Sequence, residues 1–149
     1  MGDGRRISIM TNFVKRNYPN IKTILCVADG KGTLGESLKN EGYDVTIIDP
    51  VIKKNYKVPY IKKYFTEDFN AEDFDLLIGM HPDGATVPII KVAKKYNKKF
   101  AIVPCCILGP ESKDIGDYFN WISKLRQLSG NKVRETDLPM GGKKRILFT

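Results

Sequence analysis

The chain has 149 residues, 42% hydrophobic and 28% charged, which suits one globular domain with a single core. No run approaches the roughly 20 apolar residues that cross a bilayer, and MGDGRRISIM lacks the apolar stretch and cleavage site of a secretory signal. A net charge of +8 and a pI near 9.4 favour a polyanionic partner such as RNA.

Ile7, Met10, Val14 and Tyr18 follow helical spacing, so residues 1–20 are expected to form an N-terminal helix packed on the rest of the domain, ended by Pro19. "TILCVAD" reads as a strand buried on both faces. A helix is expected over 33–41, with Leu34 and Leu38 on one face and Gly42 as its stop. "DVTIIDP" is the second strand and "VPYIKKYF" a weaker, alternating third. "DLLIGM" is the fourth, followed by a turn at His81 to Gly84. The helix over 85–96 tolerates Pro88 in its first turn. "KFAIVPCC" is the fifth strand. Tyr118, Trp121, Ile122, Leu125 and Leu128 make one helical stripe that ends at Gly130, and they read as core. "KVRETDL" and "KRILFT", joined around Pro139-Met140-Gly141-Gly142, read as an antiparallel pair. The expected fold class is therefore α/β: one minimal domain over 1–149, with a mostly parallel sheet, helices on both faces and a C-terminal antiparallel hairpin.

Between the first strand and its helix lies Asp29-Gly30-Lys31-Gly32-Thr33-Leu34-Gly35. Gly30 and Gly32 allow close backbone approach to a ligand, and Gly35 allows the helix to pack tightly on the sheet. Asp49, at the end of the second strand, stands where an acid hydrogen-bonds both hydroxyls of a ribose. A P-loop is excluded, because no glycine stands five residues before Gly30-Lys31. Asp29 decides between the remaining nucleotides. A pyrophosphate at a helix N-terminus is disfavoured by an adjacent carboxylate, whereas the ammonium and sulfonium of S-adenosylmethionine suit one. The cofactor expected is S-adenosylmethionine, ahead of a nicotinamide dinucleotide.

With these residues the chain resembles the class I S-adenosylmethionine-dependent methyltransferase superfamily over nearly its whole length. The resemblance implies a Rossmann-like sheet of seven strands in the order 3-2-1-4-5-7-6. The family's first motif has its acid two residues before the first glycine, where this chain has Ala28; here the acid is Asp29, directly before Gly30. From "FTEDFNAEDFD" the family pattern implies Asp68 against the adenine amino group, with Glu67 as the alternative, and Phe69 stacking beside it. "GMHPDGATVPII" and "FAIVPCC" resemble a subgroup that includes the tRNA uridine 2′-O-methyltransferases. By that resemblance Gly79 and Met80 lie on the cofactor side, with Asp29, Gly30, Lys31, Gly32 and Asp49. His81, Asp83, Thr86, Pro104, Cys105 and Cys106 border the acceptor.

Methyl transfer needs an aligned acceptor and, for a weak nucleophile, removal of a proton. His81, the sole histidine, is the candidate base, with Asp83 beside it; the alternatives are a loop hydrogen bond for His81 and helix capping for Asp83. Thr86 also suits local backbone chemistry. Adjacent cysteines and no Cys-x-x-Cys spacing predict no metal, so Cys105 and Cys106 read as small pocket-lining residues and Cys26 as core. Three cysteines form no disulfide framework and suit a cytoplasmic protein. Two lysine-rich segments, Lys53, Lys54, Lys57, Lys62, Lys63 and Lys91, Lys94, Lys95, Lys98, Lys99, are either a nucleic-acid face or solvated surface. The expected function is methyl transfer to RNA or another anionic acceptor. A non-catalytic nucleic-acid-binding or partner subunit is the alternative, and a partner protein that supplies substrate binding is compatible with both.

Overall fold

The sheet grows outward from "TILCV", whose side chains are almost all buried because helices cover both faces. The computed structural model describes residues 4–51 and 56–149; Lys53 and Lys54 of the first lysine segment lie outside the described residues. In chain order the elements are α1 (Arg6–Asn17), β1 (Thr23–Val27), α2 (Thr33–Asn40), β2 (Asp44–Ile48), β3 (Tyr60–Ile61), β4 (Leu76–Met80), α3 (Thr86–Lys95), β5 (Lys99–Val103), α4 (Tyr118–Ser129), β6 (Arg134–Asp137) and β7 (Arg145–Phe148). A 3-10 turn, Asp83–Ala85, leads into α3. The strands lie in the order β3-β2-β1-β4-β5-β7-β6, the order the family resemblance implies. β1 to β5 pair in parallel, and β7 runs antiparallel to both β5 and β6.

Alternate residues of each central strand serve opposite cores, as a period of two requires. Ile24, Cys26, Leu76, Ile78, Ala101 and Val103 face α1 and α2, through Met10, Val14, Leu34 and Leu38. Leu25, Val27, Leu77, Phe100 and Ile102 face α3 and α4, through Ile89, Ile90, Trp121 and Leu125. Trp121 and Cys26 are therefore core, and burial, followed by the nearby Asp29 carboxylate, raises the Cys26 thiol well above its usual range. Gly35 sits where a Cβ would stand 2.8 Å from Ile47, so the close seating of α2 on β2 depends on its missing side chain.

The third strand is much shorter than its alternating pattern predicts. Only Tyr60–Ile61 pairs with β2, because β2 ends at Ile48 and Pro59, which lacks an N–H, precedes the pairing. The remainder, through Tyr64 and Phe65, turns over the carboxyl ends of the strands.

Candidate active site

The glycine turn follows β1 with Ala28, Gly30 and Gly32 at positive φ (58°, 56° and 77°). Such a path brings backbone to the surface of the cleft, and glycine adopts it without steric cost. Two carboxylates hold the turn. Asp49 accepts from the Gly30 N–H (3.0 Å) and the Val51 N–H (2.8 Å). Asp29 accepts from Leu34 (3.3 Å) and Gly35 (2.7 Å), so it caps the first turn of α2. The Tyr56 hydroxyl donates to the Gly30 carbonyl. Asp29 thus occupies the helix N-terminus on which a dinucleotide's pyrophosphate would need to sit, and adds negative charge there.

Burial is the largest influence on Asp29. Despite the two backbone donors, it lifts the carboxyl from 3.8 to about 6, with Asp49 and Glu36 adding to the rise. Folding therefore favours protonated Asp29, and this stabilisation is lost as pH rises from 3.8 to about 6. We expect the stability difference between wild type and Asp29→Asn to shift against the wild type across that window in urea titrations. Parallel pH profiles for the two proteins would contradict the assignment.

Two cavities meet at this turn, and Ala28 and Gly30 line both. The smaller, of about 270 Å³, is lined by Arg6, Asp29, Lys31, Met80 and His81, among others. The larger, of about 500 Å³, is lined by Asp49, Val51, Tyr64, Phe65, Pro82 and Asp83, among others. Arg6 of α1, Tyr64 and Phe65 are among the lining residues that sequence reasoning missed. The aromatic pair at the end of "VPYIKKYF" was the available signal, hidden by reading that segment as strand.

Asp68 and Phe69 line neither cavity. Phe69 packs between Phe65 and Phe74, with ring centroids 5.2 and 6.1 Å away, and Asp68 is exposed. Gly32 also lines neither cavity and lies against the Tyr56 ring. Gly79 plays a packing part: a Cβ there would stand 2.7 Å from Ile89 Cδ1 and 2.9 Å from Pro82. Gly79→Ala should cost about 1–3 kcal/mol by overpacking, read from the urea midpoint. An unchanged midpoint would show that Pro82 yields freely.

Residues from the ends of β4 and β5 converge, since Met80 is paired with Val103. His81, at φ 53°, places its Nε2 2.9 Å from the Lys143 carbonyl. That carbonyl accepts only, so Nε2 carries the proton and Nδ1 is left as the acceptor. Asp83 does not cap α3; its backbone carbonyl instead accepts from buried Thr86 Oγ1 (3.1 Å). Its carboxylate accepts from the Cys105 thiol (3.2 Å) and lies 3.5 Å from Cys106 Sγ. Pro104 is buried, and its carbonyl accepts from the Tyr118 hydroxyl (3.0 Å), which ties α4 to the end of β5. Burial, then the Cys106 contact, pushes the Cys105 thiol up to about 12. Neither cysteine lines the two cavities.

The chain's fold as a whole matches those of solved methyltransferase structures. The fold is that of class I methyltransferases. A putative methyltransferase from an antibiotic biosynthesis pathway of Anabaena variabilis matches 91% of this chain and 65% of its own, with a TM-score of 0.61 and 16% identity. An O-methyltransferase family protein from Burkholderia thailandensis matches 97% of this chain and 55% of its own, with a TM-score of 0.61 and 13% identity. The plantazolicin methyltransferase BpumL, in complex with a monoazolic desmethylPZN analog and SAH, matches 68% and 47%, with a TM-score of 0.51 and 18% identity. The chain thus spans about half to two thirds of the length of these neighbours. No family model and no curated protein matches it. Among the described residues no helix is long and apolar enough to cross a membrane.

Proposed function

We propose that this chain is an S-adenosylmethionine-dependent methyltransferase acting on RNA or another anionic acceptor. The observation that carries the reading is the charge pattern of the two joined cavities. The smaller offers Arg6 and Lys31 together with Asp29, a match for a zwitterionic amino acid. The larger offers an acid, Asp49, together with the aromatic side chains of Tyr64 and Phe65, a match for a ribose and a base. The Ala28–Gly30 backbone stands between them, where a sulfonium would join the two halves. The cap on α2 disfavours a pyrophosphate in the same place, and the neighbour bound to SAH supports the choice.

When bound, S-adenosylmethionine supplies an electrophilic methyl group. Arg6 and Lys31 would hold the carboxylate end, Asp49 the ribose hydroxyls, and Tyr64 and Phe65 would cover the base. The aromatic pair would take the stacking part that the family pattern implies for Phe69. His81 lines the cavity beside Met80, and its Nδ1 takes the acceptor's proton while the Lys143 carbonyl holds the ring in place.

Support for RNA comes from the +8 charge and from the C-terminal edge. There Phe119, 81% exposed, shares a 360 Å³ hollow with Lys143 and Lys144. An exposed ring beside cations suits a stacked base and its phosphate. The lysines of the second segment suit RNA less well: Lys91 pairs with Glu67 and Glu111, while Lys94 and Lys98 donate to the Leu128 and Glu72 carbonyls. Incubating the protein with methyl-labelled cofactor and RNA pools, followed by nucleoside mass spectrometry, tests the reading. Label in an RNA nucleoside, reduced by Phe119→Ala, is expected; label in no RNA pool would overturn the RNA acceptor.

A further inference from the structure

The geometry points to a zinc site formed by Asp83, Cys105 and Cys106 beside the cleft. Adjacent side chains of a strand point to opposite faces, which is why the sequence Cys-Cys argues against one shared metal. Here β5 ends at Val103, and beyond Pro104 the chain is no longer extended in the sheet, so the two side chains are not held apart. Their sulfurs lie 3.4 Å apart as free thiols, and Asp83 Oδ1 stands 3.2 and 3.5 Å from them. Metal–sulfur bonds of about 2.3 Å and metal–oxygen bonds of about 2.0–2.2 Å put donors on a tetrahedral zinc roughly 3.4–3.8 Å apart. The three atoms therefore already form nearly one face of that tetrahedron. Among the described residues this is the sole cluster of three such donors.

Two soft thiolates with one carboxylate select zinc over magnesium or calcium, which prefer oxygen donors. Coordination replaces two S–H bonds with two Zn–S bonds and releases two protons to solvent. Three protein donors leave a fourth position open, the arrangement of catalytic rather than structural zinc. Asp83 also lines the larger cavity, so that position lies at the cleft's edge, where a hydroxyl or thiol acceptor bound to zinc would lose its proton more readily. The site itself does not depend on the methyltransferase reading; only this use of the open position does.

The test is a competition titration of the reduced, chelator-treated full chain with Zn²⁺ against a chromogenic chelator, with Co²⁺ as a spectroscopic probe. One Zn²⁺ per chain and a sulfur-to-cobalt charge-transfer band are expected. Cys106→Ser should roughly halve the band, and Asp83→Asn should weaken Zn²⁺ binding at least tenfold. Both residues are exposed, so these variants are expected to fold, which circular dichroism checks. The double variant Cys105→Ser/Cys106→Ser keeps the buried Cys26 and should show no band. Substoichiometric Zn²⁺, a full band in Cys106→Ser, or unchanged affinity in Asp83→Asn would overturn the site. S-adenosylmethionine binding, measured on the metal-free chain, reports separately on the methyltransferase reading.

Discussion

Asp49→Ala is expected to weaken S-adenosylmethionine binding by roughly tenfold to a hundredfold. Hydrogen bonds to a charged group contribute about 1.5–3 kcal/mol, and each 1.4 kcal/mol is about a factor of ten in affinity. Asp49 is 8% exposed and lines the larger cavity, so it meets a ligand as a desolvated carboxylate. It also accepts from Gly30 and Val51, so the alanine variant loosens the turn that forms the boundary between the cavities. Equilibrium dialysis on Asp49→Ala and Asp49→Asn separates the two contributions. The amide keeps an acceptor for one backbone donor but loses the charge. Wild-type affinity in both variants would remove Asp49 from the cofactor site.

The second large effect concerns turnover. His81→Asn should lower the methyl-transfer rate by about 10²–10⁴ while changing cofactor affinity only a few-fold. Asparagine is the suitable replacement because position 81 has φ 53°, a region asparagine tolerates better than most residues. The substitution removes the acceptor Nδ1 and keeps a side chain able to donate to the Lys143 carbonyl. A rate loss that grows less severe at high pH, where an acceptor ionises unaided, would mark His81 as the base. An equal loss in rate and cofactor affinity would assign it a structural part in the loop.

The fold was legible because its signals are local and repeated. Each buried strand is a short apolar run, each helix carries a stripe, and Gly42 and Gly130 stand where α2 and α4 end. Where the chain departs from the reading, the cause lies in a partner that the pattern does not encode. Val58 to Phe65 alternates as a strand, yet pairing stops at Ile61 because β2 has no further residues to offer. That displacement carries Tyr64 and Phe65 over the cavity, while Phe69, partly buried, packs against the α3–α4 core. Asp29 was legible as an acid beside the glycines, but its capping of α2 depends on a turn whose backbone path only the three-dimensional structure gives. Cys105 and Cys106 were legible as neighbours in sequence. Their convergence on Asp83 arises because β4 and β5 end side by side.

The joined cavities are proposed to hold S-adenosylmethionine. Titration calorimetry of the wild-type chain with this compound tests it most directly. One molecule bound per chain, displaced by S-adenosylhomocysteine and unaffected by a nicotinamide dinucleotide, is the expected result. No heat of binding at any accessible concentration, or competition by the dinucleotide, would contradict it.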